Sequence, residues 1–258
     1  MTDRARDIFD ADAAGYRKYK YSAEVSALDW HSFESRRLCV SRLLPQHVRR
    51  TLDLGCGSGT YLPLLAGRSD ELVAMDFSPA MLQEARKACP GLACTYLEGD
   101  AMAPPIEDAS FDLVNCIGVL EYLPRPEACL GEIRRVLRDG GTAVLSVPNA
   151  HSLWRLSERC YGPVVRRLRR LLGRQRDEQK MDSFPRGLYT TPSIRRLIES
   201  AGLRLDRVRY YNYRLPLVGG VWPGLSLALS RGLERIAPPF VAAWLGGGIV
   251  VRIVNGEL

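Results

Sequence analysis

Acidic residues and glycines alternate with apolar runs in the first part of the chain, in a pattern that suits ligand binding. Asp53 comes just before Gly55, Gly57 and Gly59, and Asp76 ends the next apolar run. Glycines let a backbone approach a ligand closely because they carry no side chain. Carboxylates beside them can accept hydrogen bonds from the ligand. The pattern therefore predicts a ligand site formed by a glycine loop and the acids around it.

The spacing of the glycines separates the families that use such loops. A dinucleotide fingerprint, G-x-G-x-x-G, would need a glycine where this chain has Thr60. A P-loop would need a lysine directly after its last glycine, and this sequence has no such lysine. The loop DLGCGSG, over residues 53–59, also begins with an acid where the strand of a dehydrogenase is normally apolar.

Strand and helix signals alternate around these residues and must position them. Strands are predicted at 51–54, 71–75, 93–97, 111–117, 142–147, 204–211 and 248–254. Helices are predicted at 60–66, 80–88, 126–137 and 192–202, with a turn at 139–141. This alternation predicts an α/β fold whose mostly parallel sheet is covered by helices on both faces. The acids then lie at the carboxyl ends of parallel strands, where open α/β sheets bind ligands.

Composition excludes several other classes. With 258 residues, of which 46% are hydrophobic and 25% charged, the chain is neither disordered nor collagen-like. Its 7 cysteines form no C-x-x-C pair, so neither a disulfide framework nor a metal site is predicted. The charged N-terminus lacks the apolar core of a secretory signal, which favours a cytoplasmic protein. Arginine far outnumbers lysine, which is typical of a GC-rich bacterial genome.

The motifs together resemble the class I S-adenosylmethionine (SAM) methyltransferases. The resemblance rests on DLGCGSG, VAMDFSPAML, LEGD, FDLVNCIGVLEYLP and LRDGGTAVLSVP, and it is close over residues 48–150. It implies the Rossmann-like seven-stranded methyltransferase fold. The order of the motifs is similar to that of ubiquinone-biosynthesis and related bacterial small-molecule O-methyltransferases. Tyr122 stands where those enzymes commonly have a histidine, so no role of that imidazole is carried over.

The resemblance implies a set of residues that bind SAM. Asp76 would accept the ribose hydroxyls, Phe77 and Met81 would cover the adenine, and Asp100 would accept the adenine amino group. Asp53 and the backbone around Cys116 would face the ammonium of the methionine part. The set of expected cofactor residues is Asp53, Gly55, Cys56, Gly57, Gly59, Asp76, Phe77, Met81, Asp100, Ala101, Cys116, Tyr16 and Arg36.

Two residues are candidates for a catalytic base toward a hydroxyl acceptor. His151 follows the strand that ends at Val147, on the cofactor side of the sheet, and Glu121 is the alternative by the same argument. Both residues could instead be caps or satisfied polar groups. An amine or thiol acceptor would need no strong base.

Three segments are expected to surround this core within a single domain of residues 1–258. Residues 1–47 would form an N-terminal helical cap; the resemblance implies that its Tyr16 and Tyr19 lie over the cofactor and that Arg36 or Arg37 pairs with the carboxylate of SAM. Residues 151–187 would form a basic amphipathic insertion. Residues 215–247 would form an apolar insertion before the last strand, too interrupted by prolines and glycines to span a membrane.

The basic insertion carries the net charge of +7. Eight arginines and Glu158 lie between Arg155 and Arg176, which gives 8 − 1 = +7 and leaves the remaining chain neutral. A basic amphipathic helix at 152–176 would suit the surface of an anionic membrane, on the inner face of the cell. A solvated lid is the equal alternative.

The function predicted from the sequence is methyl transfer from SAM to a small, hydrophobic acceptor, such as a quinone-like, lipid-linked or secondary-metabolite hydroxyl. Two alternatives stay open: a non-catalytic SAM-binding regulatory protein and an RNA methyltransferase. Against nucleic acid, no N-P-P-[Y/F] motif follows the fourth strand, where the chain has Asn115-Cys-Ile-Gly118, and no separate RNA-binding module is evident.

Overall fold

The fold is built around one sheet of seven strands. The computed structural model describes residues 3–21, 27–157, 160–161, 167, 187–213 and 223–256. The strands are β1 (Val48–Leu54), β2 (Ser69–Asp76), β3 (Thr95–Glu98), β4 (Phe111–Ile117), β5 (Leu137–Pro148), β6 (Leu203–Tyr213) and β7 (Gly246–Asn255). Their order across the sheet is β3-β2-β1-β4-β5-β7-β6. Strands β1 to β5 run parallel, and β7 runs antiparallel to both of its neighbours. The predicted seven-stranded, mostly parallel sheet is confirmed.

Helices cover both faces of this sheet. They are α1 (Asp3–Tyr21), α2 (Ala27–Leu43), α3 (Leu62–Ala66), α4 (Pro79–Ala88), α5 (Pro126–Val136), α6 (Thr191–Ser200), α7 (Pro223–Ile236) and α8 (Pro239–Leu245), with a 3-10 turn at Leu120–Tyr122. One hydrophobic core packs α5 and α6 on the sheet through Ile133 and Ile198. The other packs α2, α3 and α4 on the opposite face, through residues such as Val40 and Leu82.

Local sequence signals explain how the elements next to the acids begin. Ser78 caps α4, because its hydroxyl accepts a hydrogen bond from the backbone N–H of Met81 at 3.1 Å. Pro79 fills the first helical position, where its missing N–H costs nothing. β2 therefore passes directly into α4 at Asp76, as the sequence predicts.

Several element boundaries differ from the prediction by a few residues, and one predicted turn lies inside a strand. β3 begins at Thr95, two residues later than expected. The predicted turn at 139–141 is a bulge inside β5, where the pairing register with β4 shifts and Gly140 has φ +74°. A bulge places extra residues on one strand without ending it.

The segments around the core are described in part. The N-terminal residues form α1 and α2, and the apolar stretch at 215–247 contains α7 and α8. The basic segment 152–176 lies mostly outside the described residues; residues 153–157 are helical. No helix in the described ranges combines the length and the hydropathy needed to cross a membrane.

Candidate functional site

A cavity opens where β1, β2 and β4 end, at the edge of the sheet that the sequence indicates. The space between its walls, counted together with the open solvent at its mouth, is about 780 Å³. Its walls include eight of the expected cofactor residues: Asp53, Gly55, Cys56, Gly57, Asp76, Phe77, Met81 and Ala101. The parallel order of β1, β2 and β4 brings these residues together, although they are far apart in the sequence.

The glycine loop follows β1 and turns sharply along the cavity floor. Gly55, Gly57 and Gly59 all have positive φ, at +75°, +52° and +77°, a conformation that favours glycine. The N–H groups of Gly55 and Cys56 donate to the carbonyl oxygen of Met75, at 2.8 and 2.9 Å, and so fix the loop to the end of β2.

Glycine at positions 55 and 59 also has a packing role. A Cβ at Gly55 would lie 2.4 Å from Cγ2 of Val119, and one at Gly59 would lie 3.1 Å from Ala85 of α4. These glycines therefore permit close packing of the loop against its neighbours.

Asp76 links the glycine loop to the start of α4. Its carboxylate accepts hydrogen bonds from the N–H of Gly57 at 2.8 Å and from the N–H of Ser78 at 3.0 Å. Burial raises the pKa of Asp76 to about 6, although these hydrogen bonds act in the opposite direction. The side chain thus places a largely desolvated carboxyl group in the cavity wall.

Asp53 is a second buried acid in the same wall. Its Oδ1 accepts a hydrogen bond from Nδ2 of Asn115 at 2.7 Å. Its Oδ2 is buried and makes no hydrogen bond with the residues that the structure describes. Burial raises the pKa of Asp53 to about 7, and the nearby charge of Asp76 adds to this shift. An unsatisfied buried carboxylate oxygen is costly, and a cationic or hydrogen-bonding ligand would remove that cost.

The raised pKa of Asp53 predicts a pH-dependent stability. The folded protein keeps this proton up to about pH 7, whereas the unfolded chain loses it near pH 4. The folded state therefore binds more protons in this window, and the free energy of unfolding falls as the pH rises through it. We expect the free energy of unfolding of the wild type to fall relative to that of Asp53→Asn as the pH rises from about 4 to about 7, and the difference to stay constant above pH 7. Urea unfolding of both proteins at a series of pH values measures this difference. The same pH dependence in both proteins would contradict the raised pKa of Asp53.

Aromatic side chains close the cavity on its other side. The ring of Phe9, on α1, lies edge to face with Phe77 and with Tyr122, at centroid distances of 5.4 and 5.5 Å. Phe9, Tyr61 and Tyr122 line the cavity beside the expected Phe77 and Met81. Sequence reasoning missed these three residues. The only available signal for Phe9 was its place in the N-terminal segment, which was expected to form a cap.

Four of the expected cofactor residues do not line this cavity. Gly59 packs on α4, and Cys116 is fully buried with its thiol hydrogen-bonded to Cys129. The carboxylate of Asp100 accepts from the N–H of Met102 at 2.9 Å, in the loop after β3. Arg36 lies at the border of the cavity: its Nη1 is 3.5 Å from the position of a Cβ at Gly118. The side chain of Tyr16 lies outside the described residues.

The two expected bases lie in different surroundings. His151 is exposed, its ring stacks on Trp244 at 5.1 Å between centroids, and it does not line the cavity. His151 lies there because of Asn149. The Nδ2 of Asn149 donates to the carbonyl oxygens of Ala243 and Gly246, which holds the chain after β5 against the end of α8. Glu121 lies nearer: its Oε1 is 3.7 Å from the Cβ position at Gly118, a residue of the cavity wall.

Arg36 and Glu121 belong to one buried polar group beside the cavity. Arg36 hydrogen-bonds the side chain of Tyr211. Burial raises the pKa of Tyr211, the charge of Glu121 raises it further, and Arg36 and Arg155 lower it. The group joins α2, β6 and the 3-10 turn after β4. Among the described residues, no three His, Cys, Asp or Glu side chains form a group that could hold a metal ion.

Comparisons with known proteins agree with this arrangement. Residues 52–145 match a family described as methyltransferase domain. The chain is 38% identical over 114 residues to demethylmenaquinone methyltransferase of Thermus thermophilus, covering 43% of this chain and 52% of that protein. It is 35% identical over 128 residues to malonyl-[acyl-carrier protein] O-methyltransferase of Erwinia pyrifoliae, covering 48% of each.

A solved structure shares the fold over nearly the whole chain. The SAM-dependent methyltransferase of Thermotoga maritima, described as a possible histamine N-methyltransferase, superposes with a TM-score of 0.65 at 18% identity and covers 97% of this chain and 99% of that one. The chain spans about half the length of the two curated relatives named above. Residues 52–145 thus match a methyltransferase domain, and the seven-stranded sheet with its cavity at the strand ends is the arrangement of the class I SAM-dependent methyltransferases, whose cofactor is SAM.

Proposed function

We propose that this protein binds SAM in the cavity at the strand ends and transfers its methyl group to a small, hydrophobic acceptor, with a hydroxyl oxygen as the favoured methyl-accepting atom. The observation that carries the proposal is the pair of buried acids, Asp53 and Asp76, in one wall of a cavity whose other wall is aromatic. SAM combines a cationic end with a ribose and an adenine, so both kinds of wall match it.

Each wall has a role in this proposal. Asp76 accepts the ribose hydroxyls while the N–H groups of Gly57 and Ser78 hold its carboxylate in place. Asp53 faces the cationic methionine part through the Oδ2 that has no partner in the described structure. Phe77 and Met81 cover the adenine ring. Arg36, at the border of the cavity, pairs with the carboxylate of the methionine part.

The chain's contribution to methyl transfer is alignment and the exclusion of water. SAM supplies a methyl group already activated on a sulfonium, and the transfer needs the acceptor atom in line with it. Phe9 packs across the cavity against Phe77 and Tyr122 and so limits the access of water. Tyr61 and Tyr122 line the same space, and aromatic rings suit a positively charged group.

The aromatic lining of the cavity supports a small, hydrophobic acceptor. Phe9 brings α1 against the cavity, in keeping with the proposed cap of residues 1–47 within a single domain of residues 1–258. The names of two relatives support this choice, since one acts on demethylmenaquinone and the other is an O-methyltransferase. The predicted contact of residues 152–176 with an anionic membrane falls mostly on residues that the structure does not describe, and it stays a prediction.

Glu121 is the base that we propose for a hydroxyl acceptor, because its carboxylate approaches the cavity wall at Gly118. We expect Glu121→Gln to lower kcat by about a hundredfold, the usual lower range for the loss of a general base, with little change in the affinity for SAM. His151→Ala is the matched control, since His151 is exposed on Trp244, and it should keep kcat within about twofold. Steady-state rates across pH measure both. Equal losses in the two variants would remove Glu121 from the mechanism.

The proposed function is tested in two steps. Isothermal titration with SAM comes first, and release of S-adenosylhomocysteine is then measured with a panel of quinols, phenols, acyl carriers and amines. Turnover confined to hydrophobic hydroxyl compounds supports the proposal. Tight SAM binding without turnover on any acceptor would favour a regulatory SAM-binding protein. RNA binding that weakens steeply with salt, together with methylation of RNA, would replace the small-molecule acceptor.

A further inference from the structure

Helix α7 has its polar side facing the protein and its apolar side facing solvent. Ser226 and Ser230 are almost completely buried. Nε2 of His31, on α2, lies 3.0 Å from Oγ of Ser230 and 3.1 Å from Oε1 of Glu234, and Ser35 donates to the same carboxylate at 2.6 Å. Hydrogen bonds therefore attach this helix to α2, where most surface helices use apolar contacts.

The opposite side of α7 is an exposed apolar stripe. Leu225 and Leu229 are exposed, Gly232 continues the stripe, and Ile236 is 79% exposed, at the spacing of one helical face. Phe240 is 71% and Trp244 is 49% exposed, one turn apart on α8. We call the five side chains Leu225, Leu229, Ile236, Phe240 and Trp244 the docking face. Large exposed apolar side chains concentrated on two consecutive helices favour an interaction surface.

The charge beside the docking face is positive. Arg231 and Arg235 of α7 line a groove between α7 and α2, together with Arg37, Arg42 and Arg209. The same groove contains two acids, Glu34 and Glu234, so its arginines and acids sum to 5 − 2 = +3. Guanidinium groups bind phosphate through paired hydrogen bonds, and their apolar stems can lie along an apolar surface.

We propose that the docking face of α7 and α8, with Arg231 and Arg235 at its border, lies on the surface of an anionic lipid bilayer. A helix with an apolar stripe, basic flanks and large aromatic residues fits the boundary between headgroups and acyl chains. A second copy of the chain fits less well, because a symmetric contact through this face would bring the arginines of both copies together. The proposal is independent of the acceptor and of methyl transfer.

Flotation of the full chain with vesicles tests this proposal. Vesicles of phosphatidylcholine containing phosphatidylglycerol should carry the wild type upward, and vesicles of phosphatidylcholine alone should carry much less. We expect Ile236→Ser/Phe240→Ser/Trp244→Ser to lose at least about tenfold in partitioning, and Arg231→Glu/Arg235→Glu to lose a similar factor at low salt. The control Arg195→Glu/Arg196→Glu changes two exposed arginines of α6, away from the face, and should float like wild type.

A variant of the basic segment tests whether another part of the chain contacts the vesicle. Leu153→Ser/Leu156→Ser changes two exposed leucines of that segment. If flotation depends on these leucines and not on α8, the proposal names the wrong helices. Other occupants of the docking face give further results. Absence of flotation combined with sedimentation as a dimer that the α8 variant dissociates would assign the face to a second copy and overturn the proposal. Absence of both would assign it to a protein partner. Thermal unfolding of each variant, with SAM titration, shows that the fold is intact.

Discussion

Asp76→Ala is expected to weaken the binding of SAM by at least about a hundredfold. The carboxylate would hold two ribose hydroxyls by charge-assisted hydrogen bonds, and losing such a pair costs about 3 kcal/mol. The glycine loop also loses one of its attachments, and the start of α4 loses another, because the N–H groups of Gly57 and Ser78 both donate to this side chain. Isothermal titration of the purified variant with SAM measures the change directly.

Asp112→Ala is the matched control for Asp76→Ala. Asp112 also accepts a backbone N–H, from Arg50 at 2.8 Å, and pairs with Arg138 at 2.5 Å, but it lies at the other end of β4 from the cavity. Its loss should lower the free energy of unfolding and leave the affinity for SAM within about twofold. Equal SAM affinities in Asp76→Ala and wild type would refute the cofactor site as we place it.

Gly55→Ala should damage both stability and the cofactor site. A side chain at φ +75° costs about 1–2 kcal/mol, and the new Cβ would lie 2.4 Å from Val119. Overpacking of this kind adds about 1–3 kcal/mol. Val119 lines the cavity, so its displacement narrows the space for SAM. We expect a total loss of about 3 kcal/mol in urea unfolding and a loss of SAM affinity of at least about tenfold.

Gly91→Ala separates the two parts of this effect. Gly91 has nearly the same φ, +74°, and no atom within 4 Å of a Cβ position, so only the conformational cost of about 1 kcal/mol applies. The double variant Gly55→Ala/Val119→Ala should recover the packing part and keep the conformational part. If Gly55→Ala and Gly91→Ala lowered the free energy of unfolding equally, the contact of the new Cβ with Val119 would not contribute to the loss of stability.

That Asp53, Asp76 and the glycine loop line one cavity was largely predictable from the sequence, because these residues follow local rules. Asp53, Asp76 and the glycines lie at strand ends and turns, and parallel strands bring such ends to one edge. Phe77 and Met81 follow at the start of a capped helix, so their positions depend on a few residues of chain. The sequence does not show the hydrogen-bond partners of the two acids or the burial that raises their pKa values.

The other side of the cavity depends on contacts between distant segments, which leave no local signal. Phe9 reaches the site from α1 only because that helix packs on α4 and across the strand ends. His151 was expected in the site, but the hydrogen bonds of Asn149 to Ala243 and Gly246 direct the chain away from the cavity. α7 shows the same limit, since its Ser230 and Glu234 find their partner His31 on α2, far away in the sequence.

The position of β7 between β5 and β6 also has a consequence for folding during synthesis. β5 pairs on one side with β4, but its other side pairs with β7, so Thr142 meets Val254 across more than a hundred intervening residues. A nascent chain that has left the ribosome as far as β6 still has an unpaired, apolar strand edge in the middle of its sheet. Such an edge invites pairing with other chains. Pairing of β7 with β5 and β6 therefore covers the strand edge through which a newly made chain could aggregate.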